Sequence, residues 1–329
     1  PDGQPGLAVD SGPGDGAEEA LPDPYALTSS SKPRRLLTQS PGVDDDFSVA
    51  RYVAHLTRAS FAATREPVRR PRLRVGNGEI GVTFVGHATV LLELDGVTLL
   101  TDPVLSQRLF VAKRLVSPGV PEGGLPDLDI VLVSHGHLDH LDVSTHRRLE
   151  KRDTIAVVAE NLGDLVSGCG YRRVVELGWG QHLEHKGIRI TSLAVNHWGT
   201  RGLLPDRRGY TGFLIEGPSG RVFFPGDTAY TPLFRDYGER FSIDVAALPI
   251  GAYRPASFRR VHMNPQDALQ AFLDLRARYL VPIHWGTFVL SYEPPDEPPQ
   301  WIQTLAREAG VESQLALLEH GEGRVFRRG

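Results

Sequence analysis

The chain has 329 residues, 40% of them hydrophobic and 23% charged, with a formal net charge of −4. That length and composition suit a water-facing protein with a substantial core, and the charge balance gives no electrostatic case for a nucleic-acid partner. No apolar run approaches the roughly 18 residues of a membrane span, and the single cysteine, Cys169, cannot close an internal disulfide and reads as structural.

Residues 1–45 mix Pro, Gly, Ser, Asp and Glu without period and are expected to form a flexible tail. Residues 46–75 are read as an N-terminal helix and connector. Between Phe47 and Ala62 the apolar positions Val49, Tyr52, Val53, Leu56 and Phe61 approach helical spacing, behind the acidic run Asp44–Asp46. The third unit, residues 76–329, opens with short β-rich runs, and Asp95-Gly96 between two of them is a hairpin signal. A second hairpin is expected at Pro218-Ser219-Gly220. Asn264, followed by Pro265 and Asp267, reads as the cap of a helix that turns Ala268, Phe272 and Leu275 inward. A last helix is expected from Pro299 or Trp301 to Ala309, stopped by Gly310.

The densest chemistry follows the strand-like run Ile130–Val133, where Ser134-His135-Gly136-His137-Leu138-Asp139-His140 packs four ligand-type side chains into six residues. Imidazole and carboxylate are donors that suit Zn²⁺, with Mn²⁺ or Fe as alternatives. Three further strand-like runs end in such a group: Ile188–Val195 before His197, Arg221–Phe224 before Asp227, and Tyr279–Ile283 before His284. Seven ligands are too many for one tetrahedral ion and suit two that share a carboxylate. The expected division gives His135, His137 and His197 to one ion and Asp139, His140 and His284 to the other. Asp227 and a hydroxide lie between, and Asp139 and Asp227 are the candidate catalytic residues.

This motif resembles the metallo-β-lactamase superfamily, which implies an α+β, four-layer αββα sandwich of two mixed sheets with external helices. Gly86–Val90, Leu100–Val104, Asn196–Trp198, Gly226–Tyr230, Pro249–Tyr253, Ile283–Phe288 and Glu319–Glu322 are similar to the branch of N-acyl phosphatidylethanolamine-hydrolysing phospholipases D and its bacterial relatives. The resemblance implies a phosphodiesterase that uses two Zn²⁺ and acts on that lipid or a similar amphipathic phosphodiester. It places His262 against the substrate head group. Leu138 stands at a substrate-facing position where the family commonly has tyrosine, and the segment before Arg72, which in the family helps form the lipid groove, does not match. His87 and His320 fall in matching blocks and are candidates to orient a ligand from behind.

Serine catalysis is disfavoured by the absence of a Gly-x-Ser-x-Gly elbow. The alternatives are a hydrolase of the same fold acting on a lactone or another small phosphoester, and a metal-binding scaffold without turnover. His146, His182 and His185 are read as surface residues, and Leu105, Leu109, Phe110 and Val111 as an apolar loop that lines a groove, touches a membrane or is simply buried. A cytoplasmic or membrane-peripheral location is expected, with peripheral membrane contact an option. Because the chain begins at Pro1, an upstream targeting segment is compatible with it.

Overall fold

The computed structural model describes residues 48–68, 70–201 and 207–328, so the expected tail lies outside the described residues. The first helix, α1 (Val49–Ala59), is shorter than the apolar spacing suggested. Ser48 caps it by accepting from the Arg51 amide, and the chain turns away at Ser60. A meander of β1 (Glu79–Gly86), β2 (Thr89–Leu94) and β3 (Val97–Thr101) follows, closed at Asp95-Gly96 as expected. A small hairpin, β4 (Arg108–Leu109) and β5 (Ala112–Lys113), precedes β6 (Ile130–Val133), α2 (Val143–Arg148), β7 (Ile155–Ala159), α3 (Gly163–Val166) and β8 (Arg173–Leu177).

The second half begins with β9 (His182–His185), β10 (Ile188–Leu193), β11 (Gly212–Gly217) and β12 (Gly220–Phe224). It continues through α4 (Leu233–Arg240), β13 (Val245–Pro249), α5 (Pro265–Asp274), β14 (Tyr279–Ile283), α6 (Glu297–Glu308) and β15 (Gly323–Arg327). Helix α5 carries the full capping box between Asn264 and Asp267. Helix α6 starts at Glu297, earlier than expected, because Pro298 and Pro299 fit a first helical turn.

Two mixed sheets result, ordered β15-β1-β2-β3-β6-β7-β8 and β14-β13-β12-β11-β10-β9. Alternation along the strands builds three apolar layers. Ile130 and Leu132 face Phe213, Val222 and Phe224 between the sheets, whereas Val131 and Val133 pack outward on Leu162 and Val166. Val245 and Ala247 likewise point inward, and Ala246 and Leu248 point outward to Phe234, Phe272 and Ile302. The molecule is therefore the four-layer αββα sandwich. Strands covered on both faces read as continuous apolar runs, which is why β6, β12 and β14 stood out in the sequence.

His146 corrects one expectation. It is fully buried on α2, with Nδ1 2.5 Å from the Tyr171 hydroxyl, whereas His182 is exposed on β9. The apolar loop divides as well. Leu105 and Leu109 are buried and Phe110, at the tip of the small hairpin, is exposed. No helix among the described residues is long and apolar enough to cross a membrane.

Candidate metal centre

The parallel strands β6, β12 and β14 all point their C-terminal ends to one edge of the sandwich, and the chain leaving β10 reaches the same edge. That is where open α/β sheets commonly place ligands. The loop after β6 carries His135, His137, Asp139 and His140; His197 follows β10, Asp227 follows β12 and His284 follows β14. Gly226 makes the Asp227 turn feasible. Its φ is 61°, and a Cβ there would lie 2.3 Å from Ser134 Oγ.

All seven side chains converge. His135 Nε2 and His197 Nε2 stand 2.9 and 3.2 Å from His137 Nδ1. On the other side, Asp139 Oδ2 is 3.6 Å from His140 Nε2 and 3.5 Å from His284 Nε2. Asp227 reaches His140 Nε2 at 3.1 Å with one oxygen and His284 Nε2 at 3.2 Å with the other. Its carboxylate also shares a tight cluster with His197 and His262. The structure thus brings His135, His137 and His197 together in one cluster and Asp139, His140 and His284, with His87, in another, and sets Asp227 beside members of both.

These separations can be tested against a cation. Two ligands about 2.05 Å from one tetrahedral ion lie about 3.3 Å apart, close to the distances observed. Among the described residues, His140 Nε2, both ring nitrogens of His284 and Asp227 Oδ1 are buried without a well-formed hydrogen bond, although His140 and His284 face the Asp227 carboxylate, a costly arrangement for buried polar atoms. Electrostatics point the same way. Burial opposes charge on His284, yet Asp227 and Asp139 push its pKa up to about 9. Burial likewise opposes charge on His140, which the same carboxylates and Asp102 drive well above the ordinary range. The carboxylates therefore favour positive charge at this spot. The donor set fits a metal ion.

The rings are also fixed from behind. His135 Nδ1 donates to Ser134 Oγ (2.9 Å), His197 Nδ1 to the Val261 carbonyl (2.8 Å), and His140 Nδ1 to Asp102 Oδ2 (2.7 Å). Fixing the outer nitrogen sets both tautomer and ring orientation. Asp102, buried at the end of β3, also accepts from the Ser134 amide and hydroxyl. Its place in the centre was missed in the sequence, although β3 ends in an acid as β12 does. Arg201 is a second omission. Its guanidinium donates to the Gly136 and Leu141 carbonyls, both at 2.8 Å, and so grips the motif loop.

The remaining candidates divide by position. His262 Nε2 is 3.3 Å from Asp227 Oδ2, beside the centre. His87 Nε2 is 3.0 Å from Asp139 Oδ2. His320 stands one residue further back, 2.8 Å from Thr287 Oγ1. Leu138 is 47% exposed, so about half of its surface is open to solvent. Helix α1 comes close as well: Tyr52 donates to the Leu290 carbonyl, and its pKa rises to about 12 through burial and then the Asp139 charge.

Residues 98–285 match the family model described as beta-lactamase superfamily domain. The chain belongs to that superfamily. Within it, the chain is 34% identical over 267 residues to a Caenorhabditis elegans protein named N-acyl-phosphatidylethanolamine-hydrolyzing phospholipase D 1, covering 73% of this chain and 74% of that one. It is 31% identical over 246 residues to a metal-dependent hydrolase of Methanopyrus kandleri, covering 73% of this chain and 97% of that one. A solved metallo hydrolase from Ignicoccus hospitalis shares the fold at a TM-score of 0.60 and 23% identity, covering 76% of this chain and all of that one. The protein is a metal-dependent hydrolase of the phospholipase-like branch.

Proposed function

We propose that the protein is a two-metal phosphodiesterase of the phospholipase D type, cleaving N-acyl phosphatidylethanolamine or a closely similar lipid phosphodiester. The division of seven ligand-type side chains, five buried and two partly buried, into two groups around Asp227 carries the two-metal part. Likeness to the worm phospholipase supports the substrate class.

His135, His137, His197 and Asp227 would hold one Zn²⁺, and Asp139, His140, Asp227 and His284 the other. When bound, such a pair would lower the pKa of a water and draw charge from a phosphoryl oxygen. Asp139 has a carboxylate oxygen close to the second group of ligands and would orient the attacking water by accepting its proton. The water oxygen forms the new P–O bond as the P–O bond to the ethanolamine oxygen breaks. The leaving oxygen takes up the proton that Asp139 accepted from the water, giving an N-acylethanolamine and a phosphatidic acid. His262 has Nδ1 buried and unpartnered and its other nitrogen beside Asp227, a suitable place to donate to a phosphate oxygen. Leu138 offers no hydroxyl, so head-group contacts rest on His262.

Zinc-loaded protein assayed against N-acyl phosphatidylethanolamine in mixed micelles, a lactone and a soluble nucleotide diester tests the reading. Release of N-acylethanolamine that disappears with chelation supports it. Turnover of the lactone alone moves the protein to the small-substrate alternative, and metal binding without any turnover moves it to the scaffold.

A further inference from the structure

His87 joins the two elements that supply the second group of ligands, although it belongs to neither. It is 2% exposed and sits in the left-handed region at φ 60°, where a non-glycine residue persists only when its surroundings determine it. Three hydrogen bonds do so. Its amide donates to Thr287 Oγ1 at 2.6 Å, its carbonyl accepts from the His284 amide at 2.8 Å, and its ring Nε2 reaches Asp139 Oδ2 at 3.0 Å. The ring also packs on the His284 imidazole, with centroids 4.0 Å apart. The residue before it, Gly86, has φ 137°, a conformation that strains any side chain, and a Cβ there would crowd the His320 ring at 3.0 Å. Backbone and ring of one residue therefore hold a ligand from each sheet, Asp139 after β6 and His284 after β14.

We infer that His87 is a positioning residue for one half of the centre, setting Asp139 and His284 at the separation a shared ion requires while leaving His135, His137 and His197 untouched. The inference rests on the two-metal reading above. His87 shares a cluster with Asp139, His140 and His284, but the ring nitrogen that faces them is hydrogen-bonded to Asp139 Oδ2, so it acts through that carboxylate. His320 gains an account too, since Thr287 Oγ1, which receives the His87 amide, is the atom His320 faces. The chain of contacts runs from His320 through Thr287 and His87 to Asp139.

Chelator competition with Zn²⁺, read by metal content and by the visible spectrum of the Co²⁺-substituted protein, tests this. His87→Asn tolerates the left-handed backbone but is too short to reach Asp139; His87→Gln keeps an N–H donor at nearly the original reach. The melting temperature of metal-free protein reports the fold of each. In His87→Asn one of the two ions is expected to bind about 10–100-fold more weakly, with the other unchanged and the Co²⁺ spectrum altered for one site only. His87→Gln should recover most of the loss. Equal weakening of both ions, unchanged affinity in His87→Asn, or no recovery in His87→Gln overturns the inference while the two-metal reading stands. Wild-type protein that takes up a single ion overturns both.

Discussion

Asp102→Asn isolates the support behind the ligands without changing a ligand. The carboxylate accepts three buried hydrogen bonds, from the Ser134 amide at 2.7 Å, the Ser134 hydroxyl at 2.5 Å and His140 Nδ1 at 2.7 Å. The amide preserves shape, so its Oδ1 can still accept from the Ser134 backbone. Its NH₂ then confronts a hydroxyl and an imidazole N–H that had donated to oxygen. Losing the charge and leaving a buried donor unmatched costs about 2–4 kcal/mol, judged from charged hydrogen bonds and unsatisfied buried groups. Against a total stability of roughly 5–15 kcal/mol, the variant still folds. Urea denaturation of metal-free protein measures that loss, and chelator competition should show zinc held about 10–100-fold more weakly as His140 loses its fixed tautomer. Unchanged stability together with unchanged zinc affinity would refute the claim that Asp102 organises the centre.

Asp227→Ala and His284→Ala should each lower phosphodiester turnover by about a hundred- to a thousandfold or more, the scale on which losing transition-state charge stabilisation acts, with far-UV circular dichroism unchanged. Gly226→Ala is expected to disturb the centre more than the surface of the fold, because its φ of 61° and the 2.3 Å approach to Ser134 Oγ leave no place for a methyl group; lost metal uptake, measured by elemental analysis, is the readout. His146 supplies a pH test away from the ligands. Burial, the larger cause, holds its pKa down to about 3 when folded, against an ordinary value of 6.5. The unfolded chain therefore binds the extra proton between those values, so this contribution to stability is intact above pH 6.5 and falls by about 1.4 kcal/mol per pH unit below it. His146→Phe should flatten the acid limb of urea-denaturation stability by that slope, and an identical slope in both proteins would contradict the assignment.

The strands that launch the ligands were legible because burial on both faces leaves an unbroken apolar run that stops at the metal edge. Local chemistry was legible too: Asp95-Gly96 closes its hairpin, and Asn264, Pro265 and Asp267 begin α5. What escaped depends on contacts distant in the chain. Asp102 ends a strand as Asp227 does, and only the pairing of β3 with β6 shows that it lies under Ser134 and His140. His146 looked like a surface residue because short α2 shows no apolar period to reveal which side faces Tyr171. Helix α1 offered an apolar stripe, but its attachment through Tyr52 and His55 to the carbonyls of Leu290 and Ser291 joins residues more than 230 apart in sequence.

The most direct test is a crystal structure of zinc-loaded protein with anomalous data at the zinc edge. Two peaks about 3.5–4 Å apart are expected, one bounded by His135, His137 and His197, the other by Asp139, His140 and His284, with Asp227 touching both. A single peak, or two peaks that do not share Asp227, would contradict the two-metal account.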